Sequence, residues 1–282
     1  MITTQHSVVL NGVKYVWIKV KSALVKSGLK DYTYALNPYV GCYHGCNYCY
    51  ARAYVRYPDV RDNWGYVVYI KENLPQILRS EVRKLKPAVV GLGTTTDPYQ
   101  PIEAVTKITR ESLNTLLKNR FKVVIQTKSS LVIRDLDILK ERKDLVELGF
   151  TITTLDQNLS RALEPRASPP KARVEALRKA ASAGIRTWIF LGPIIPGVND
   201  SPESIKEVLE VARESSSTVY YDWLRFKPGL ESFFSYLNID LSRYLSGDEY
   251  KIWRRKTSQT ILKICEELNV KCASEFNEYS IT

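Results

Sequence analysis

The stretch Leu74-Pro75-Gln76-Ile77-Leu78-Arg79-Ser80-Glu81-Val82-Arg83-Lys84-Leu85-Lys86-Pro87-Ala88-Val89-Val90-Gly91-Leu92-Gly93-Thr94 contains one full unit of the fold. Leu74, Ile77, Leu78, Val82 and Leu85 recur at helical spacing. Lys86 and Pro87 stop that helix, because proline lacks an N–H and restrains the residue before it. Residues 88–94 then read as a strand buried on both faces, apolar without alternation. Outward from this unit the pattern repeats. Residues 108–117 are helical, 121–126 strand-like, 131–143 helical and 148–153 strand-like. Residues 169–183 form a helix with prolines at its start and Gly184 after its end. Residues 187–191 are the next strand. Ser201 reads as the N-cap of a helix that continues through 205–214. Residues 219–226 are β-like and 251–268 form a long final helix. Toward the N-terminus, an apolar run at 35–40 precedes three cysteines, and 49–57 reads as a helix.

Alternation of this kind predicts an α/β fold with a parallel sheet and right-handed crossovers. About six βα units predict a partial (β/α)6 TIM-type barrel, two short of the full eight and open along one side. Residues 1–34 read as a small basic N-terminal extension: Lys14, Lys19, Lys21, Lys26 and Lys30 meet no acid within residues 1–30. Residues 35–282 form the barrel domain with its C-terminal helix. Within it, 227–249 read as a loop-rich insertion containing Gly229, Phe233, Phe234 and Tyr236.

Composition narrows the class. Of 282 residues, 44% are hydrophobic and 25% charged, which describes a globular chain, not a disordered one. The apolar runs are far too short for a bilayer, and no basic region with an apolar core opens the sequence. No membrane association is expected, and the chain reads as cytoplasmic. Lys plus Arg number 41 against 30 for Asp plus Glu, a net +11 that favours polyanionic partners. Only His6 and His44 are present, so histidine acid–base chemistry is poorly supplied. A single methionine, with abundant Lys, Arg, Glu and Tyr, fits a hot environment.

Three of five cysteines fall in Asn37-Pro38-Tyr39-Val40-Gly41-Cys42-Tyr43-His44-Gly45-Cys46-Asn47-Tyr48-Cys49-Tyr50. In a reducing compartment such clustering points to a metal centre and away from disulfides. Cys-x3-Cys-x2-Cys delivers three thiolates from one compact loop, which leaves one iron of a four-iron cluster open to a further ligand. Gly41 and Gly45 permit the tight wrap, and Tyr48 and Tyr50 are placed to cover the centre. The alternative is zinc held by Cys42, His44, Cys46 and Cys49 in a non-catalytic nucleic-acid binding module. Against it, Cys-x-His-x-Cys crowds three ligands into five residues. Cys265 and Cys272 are too few for a second cluster and read as buried packing.

The cysteine loop resembles the S-adenosylmethionine (SAM)-cleaving loop of the radical SAM superfamily. Continued through Ala51-Arg52, it is similar to the spore photoproduct lyase-related branch, the DNA repair photolyase-like proteins. The resemblance spans roughly residues 35–230 and includes Gly93-Thr94-Thr95-Thr96-Asp97-Pro98-Tyr99-Gln100-Pro101, Gln126-Thr127-Lys128, Leu163-Glu164-Pro165-Arg166 and Pro193-Ile194-Ile195-Pro196-Gly197. It implies that Cys42, Cys46 and Cys49 hold a catalytic [4Fe–4S] cluster. It further implies that Thr96 and Asp97 receive the SAM ammonium, Lys128 its carboxylate, and Thr151 lies near its ribose. Glu164 and Arg166 are read as an ion pair fixing the loop under the cofactor, and 193–197 as a wall of the adenine pocket. A reductant such as ferredoxin or flavodoxin is implied. So is a DNA or RNA substrate, with Tyr220-Tyr221-Asp222-Trp223-Leu224-Arg225-Phe226-Lys227 suited to stacking on bases; a small molecule or a peptide is the alternative substrate. One departure stands out. Thr94 occupies the position where spore photoproduct lyases carry a hydrogen-donating cysteine, and a hydroxyl O–H is too strong for that step. The sequence therefore argues against spore photoproduct repair.

Overall fold

The computed structural model describes residues 4–225 and 247–274. A hairpin of β1 (Thr4–Leu10) and β2 (Val13–Ile18) opens the chain, followed by β3 (Val25–Lys26), β4 (Tyr34–Leu36) and β5 (Tyr39–Val40). The cysteine loop leaves β5 and leads to β6 (Val67–Lys71). Then come β7 (Val89–Leu92), β8 (Lys122–Thr127), β9 (Val146–Thr151), β10 (Arg186–Ile194), β11 (Thr218–Trp223) and β12 (Cys272–Ser274).

The main sheet has the order β12-β11-β10-β9-β8-β7-β4-β3 and does not close on itself. β4 and β7 to β11 are the six parallel strands expected of a partial barrel. Two additions sit at the edges: β12 extends the parallel set beside β11, and β3 pairs antiparallel with β4. Helices Ile108–Lys118, Pro170–Ser182, Pro202–Glu214 and Asp248–Glu267 lie in the crossovers. Ser201 caps its helix as the sequence predicts, accepting from Ser204 N. Strand residues Val90, Ile125, Leu148, Ile189 and Val219 join helix residues Leu113, Leu177 and Leu209 in one core. Burial of that apolar face, worth about 25 cal/mol per Å2, drives the assembly.

Four local readings are corrected. Residues 49–57 form only a 3-10 turn, Tyr50–Tyr54, because Pro58 holds Tyr57 extended and starts a separate short helix, Pro58–Asp62. Helix 74–85 ends at Glu81, whose carboxylate turns to accept from Ala23 N and Leu24 N at 3.1 and 2.8 Å. The helix expected at 131–143 splits into a 3-10 segment, Ser130–Asp135, and Leu136–Glu141. Asp135 at the break is fully buried between Arg110 and Arg134. Lastly, β6 is a strand the sequence pattern does not assign. It joins β2 in parallel and β5 antiparallel, in a second sheet of order β1-β2-β6-β5. Val13–Ile18 is thus the strand partner of the segment that follows the cysteines, with Thr4–Leu10 on its outer edge. The loop-rich reading of 227–249 falls mostly outside the described residues.

The sheet is tightly packed where β9 meets β10. A Cβ on Gly149 would lie 2.1 Å from the Trp188 ring, so the ring occupies the space glycine vacates. Gly149→Ala is expected to destabilise the fold by about 1–3 kcal/mol through overpacking, read as a lower midpoint in chemical denaturation.

Candidate active site

The cysteine loop lies over the C-terminal ends of the central strands. Within it, Gly45 N donates to Cys42 O and Cys49 N to Cys46 O, each at 3.2 Å. Three anchors hold the loop to the barrel. Gly41 O accepts from Thr96 Oγ1 at 2.5 Å, Tyr43 N donates to Gln100 Oε1 at 2.8 Å, and Asn47 binds Leu163 O and Ala162 O through its N–H and side-chain amide. Cys46 and Tyr48 pack against Leu163, Ile195 and Leu224. Cys42, Cys46 and Cys49 are free thiols, the first two buried. Burial raises the Cys46 thiol well above its ordinary value and brings Cys49 to about 11, so a metal must displace protons to bind.

Asp97 is the junction of the site. Its Oδ1 accepts from Tyr99 N at 2.9 Å and Thr127 Oγ1 at 2.7 Å; its Oδ2 accepts from Lys128 N at 2.7 Å and stands 3.3 Å from His44 Nδ1. Burial alone would favour the neutral acid. The His44 charge and these bonds outweigh it and hold the carboxyl at about 2. For His44 burial again works toward neutrality, and Asp97 overcomes it, raising the imidazole to about 10. Thr96 is similarly engaged, donating to Gly41 O and accepting from Gln100 Nε2 at 3.1 Å. Both residues expected to receive an ammonium have their side chains committed to ordering loops.

Behind the cysteines lies a buried ionic group. Glu164 Oε1 accepts from Thr153 Oγ1 at 2.5 Å and from Tyr48 OH, and Oε2 pairs with Arg173. Arg173 also donates to Ser168 O at 2.6 Å and Thr151 O at 3.0 Å. Burial would protonate Glu164, but Arg173 and Lys128 keep it ionised. The expected Glu164–Arg166 pair is therefore corrected: the partner is Arg173, one helical turn into Pro170–Ser182, unassigned by the sequence reading. The Lys128 ammonium stands 5.6 Å over the Tyr48 ring. Burial opposes its charge, and the Cys46 sulfur and Glu164 carboxylate outweigh it, raising its pKa. Thr151 accepts from Gln126 Nε2 at 3.2 Å.

Arg166 turns the other way. Its guanidinium lies between the rings of Tyr43 and Tyr66, 4.9 and 4.4 Å from their centroids, and donates to Gly65 O at 2.5 Å. Its backbone N donates to His44 O at 3.3 Å. Gly65 adopts φ +87° and leaves no room for a side chain: a Cβ would stand 2.2 Å from Arg166 Nη2. Arg166 thus clasps the cysteine loop to the turn entering β6.

Tyr50 is 47% exposed and spans the mouth, donating to Thr94 O at 2.6 Å, while Thr94 Oγ1 accepts from Asn37 Nδ2 at 3.0 Å. Asn199, also unassigned by sequence, is buried; it accepts from Ile195 N at 2.7 Å and donates to Thr153 O and Pro193 O, bracing loop 193–197. The stretch 220–227 divides. Tyr221 and Trp223 are buried in the helix-side core, Tyr220 lies on the opposite face, and Phe226 and Lys227 fall outside the described residues. Cys265 and Cys272, read as packing thiols, are joined in a disulfide, so neither has an S–H to give.

The donor set fits an iron–sulfur cluster: three free thiols from one loop, close enough to influence one another's ionisation, with a cation alongside. It does not fit the zinc alternative. His44, which zinc would need as its fourth ligand, turns Nδ1 toward the Asp97 carboxylate.

An open parallel barrel with a three-cysteine loop over its strand ends defines a class of enzyme. The chain belongs to the Radical SAM superfamily, whose family model matches residues 36–212. That superfamily implies an enzyme with a [4Fe–4S] cluster and SAM. An uncharacterized protein of Methanocaldococcus jannaschii is 31% identical over 219 residues, 78% of this chain and 81% of the relative. One from Acidianus two-tailed virus is 31% identical over 253 residues, covering 87% and 78%. Among solved structures, spore photoproduct lyase complexed with dinucleoside spore photoproduct aligns with TM-score 0.71 at 16% identity, covering 93% of this chain and 82% of that one. Streptococcus suis SuiB bound to S-adenosylmethionine aligns with TM-score 0.57 at 14% identity, covering 88% and 53%. These two likenesses concern the fold. Among the described residues no helix is long and apolar enough to cross a membrane.

Arg173→Met leaves Glu164 buried and stripped of its closest cation. It is expected to cost about 3–5 kcal/mol in denaturant unfolding. Arg166→Leu removes the clasp without touching a cysteine. Alkylation of the three free thiols in metal-free protein is expected to accelerate several-fold, followed by mass spectrometry; an unchanged rate contradicts the clasp.

Proposed function

We propose that this chain cleaves SAM reductively and directs the resulting radical at a nucleic acid. The observation that carries the first part is the set of three free thiols beside Lys128, in a loop anchored over the strand ends. Cys42, Cys46 and Cys49 hold the cluster. The chemistry supplied by a bound [4Fe–4S] cluster is one electron to SAM, which splits into methionine and a 5′-deoxyadenosyl radical that takes a hydrogen atom from the substrate. The protein's own part is positioning. Lys128 offers a cation to the SAM carboxylate, held in place by Asp97 on its backbone and Tyr48 under its ammonium. Asp97 and Thr96, whose side chains are committed, order the loop after β7 against the cysteine loop and Lys128. Thr151, Glu164 and loop 193–197 line the remaining wall, and Tyr48 and the Leu163–Ile195–Leu224 cluster keep water from the sulfurs. The electron comes from a protein such as ferredoxin or flavodoxin.

The nucleic-acid part rests on the rim. Tyr50, Tyr54 and Tyr66 are 47, 61 and 60% exposed around the cysteine loop, with exposed Arg56 and Arg61 among them. Rings that accept any base and guanidiniums that meet phosphate suit a single strand, and the net +11 is consistent with one. Thr94 and the Cys265–Cys272 bond support a reaction other than that of spore photoproduct lyase.

Anaerobic reconstitution with iron and sulfide, reduction and addition of SAM is expected to yield 5′-deoxyadenosine, and Cys42→Ala none. Wild-type yield from Cys42→Ala, or zinc in place of iron on metal analysis, overturns the reading. Binding to a short single strand is expected to weaken steeply with salt; salt-independent binding argues for an uncharged substrate.

A further inference from the structure

The inner face of a parallel barrel is ordinarily filled by layers of Val, Ile and Leu. Here the β9 to β11 side is filled by rings. The strand register places Gly149 opposite Trp188, Thr151 opposite Phe190, and Phe190 opposite Tyr220, so these residues share one face. It is the concave face, because the alternating neighbours Leu148, Ile189 and Val219 belong to the core covered by the outer helices. Trp188 and Tyr220 meet edge to face with centroids 5.6 Å apart, and Gly149 makes the room for the indole. Trp188 is 4% exposed, and its Nε1–H meets no acceptor. Buried donors are rarely left without partners. Trp64 and Trp223 share this feature, and Trp188 differs from Trp223 in facing the concave side, where a bound group can supply the acceptor. Phe190 and Tyr220 are half-buried. Asp222 follows on the same face one step nearer the mouth, buried, with Arg225 Nε 3.3 Å from one carboxylate oxygen. The cysteine loop, Lys128 and Glu164 occupy the other side of the same mouth, and the proposed function gives Trp188, Phe190, Tyr220 and Asp222 no part in holding SAM.

We infer that Phe190 and Tyr220 are the floor on which a planar heterocycle of the substrate stacks, with the Trp188 indole N–H donating to its carbonyl and Asp222 accepting from its ring N–H. A pyrimidine-type base has that combination of flat face, carbonyl and N–H. It can arrive in a nucleic acid strand or as a free nucleoside. The inference rests on the reading of this mouth as a radical SAM site, and it gives the substrate a second, uncharged point of recognition beyond the basic rim.

The test uses reconstituted full-length protein and three probes: a short pyrimidine single strand, an abasic strand of equal length, and uridine. A pyrimidine is chosen because adenosine competes for the SAM site. Phe190→Leu keeps an apolar side chain and removes the ring; Trp188→Phe keeps a ring and removes the N–H. Circular dichroism and thermal melting confirm that each variant folds. The pyrimidine strand is expected to bind wild type at least tenfold more tightly than the abasic strand, and Phe190→Leu to weaken it about tenfold, the loss of one stacked base. Trp188→Phe is expected to weaken it less, and neither variant to change abasic binding. Uridine that binds wild type with the same sensitivity to Phe190→Leu identifies a free nucleoside as the source; uridine that does not bind identifies the strand. Equal binding of pyrimidine and abasic strands, or pyrimidine binding indifferent to both variants, overturns the floor. If 5′-deoxyadenosine still forms in that case, only the floor has failed; if it does not, the radical SAM reading has failed with it.

Discussion

The Asp97 carboxylate joins three parts of the chain that have no other reason to meet. One oxygen takes Tyr99 N and the Thr127 hydroxyl; the other takes Lys128 N and faces the His44 imidazole. The loop after β7, the end of β8 and the cysteine loop are therefore all referred to one buried anion. Such a group is costly to desolvate and is tolerated only when its lone pairs are filled and a cation stands by. With those conditions met, it restrains more than a surface pair does, because displacing any partner exposes a charge to a low-dielectric surround. The position of Lys128 against Tyr48 and the sulfurs follows from this constraint.

A second buried anion repeats the arrangement on the far side of the cysteines. Glu164 collects Tyr48, Thr153 and Arg173, and Arg173 reaches on to the backbone of Thr151 and Ser168. Between the two anions the cysteine loop has little freedom, and Arg166 closes its outer side against Gly65. The small sheet of β1, β2, β6 and β5 consequently acts as a buttress, since the Gly65 turn leads directly into β6. A loop that must present three thiolates to one cluster gains from being held before the cluster arrives, because ordering then costs less at binding.

Much of this was legible in the sequence. Helical spacing and short apolar runs located five of the six parallel strands, because periodicity records which face of an element is buried. The apolar run at 35–40 divides into β4 of the main sheet and β5 of the small one. The Cys-x3-Cys-x2-Cys loop marked the metal centre for the same local reason: ligands to one cluster on one loop must lie close in sequence. The 3-10 turn after Cys49 and the break at Asp135 were misread as continuous helix. Pro58 and the buried charge on Asp135 override propensities that favour helix on either side.

What the sequence determined by itself, then, is the alternation of elements, the open parallel barrel and the identity of the three thiols. Only the tertiary structure decided who partners whom. Glu164 has Arg166 two residues away and pairs with Arg173 nine residues away, because Arg166 is drawn to two tyrosine rings and a glycine carbonyl on another sheet. Cys265 and Cys272 bond across the gap between a helix end and an edge strand. Trp188 and Phe190 read only as part of the strand at 187–191, and strand register turns them, with Tyr220, to the concave face. Spacing along a chain limits near neighbours, whereas pairing across a sheet depends on register and on competition among partners that meet only after folding.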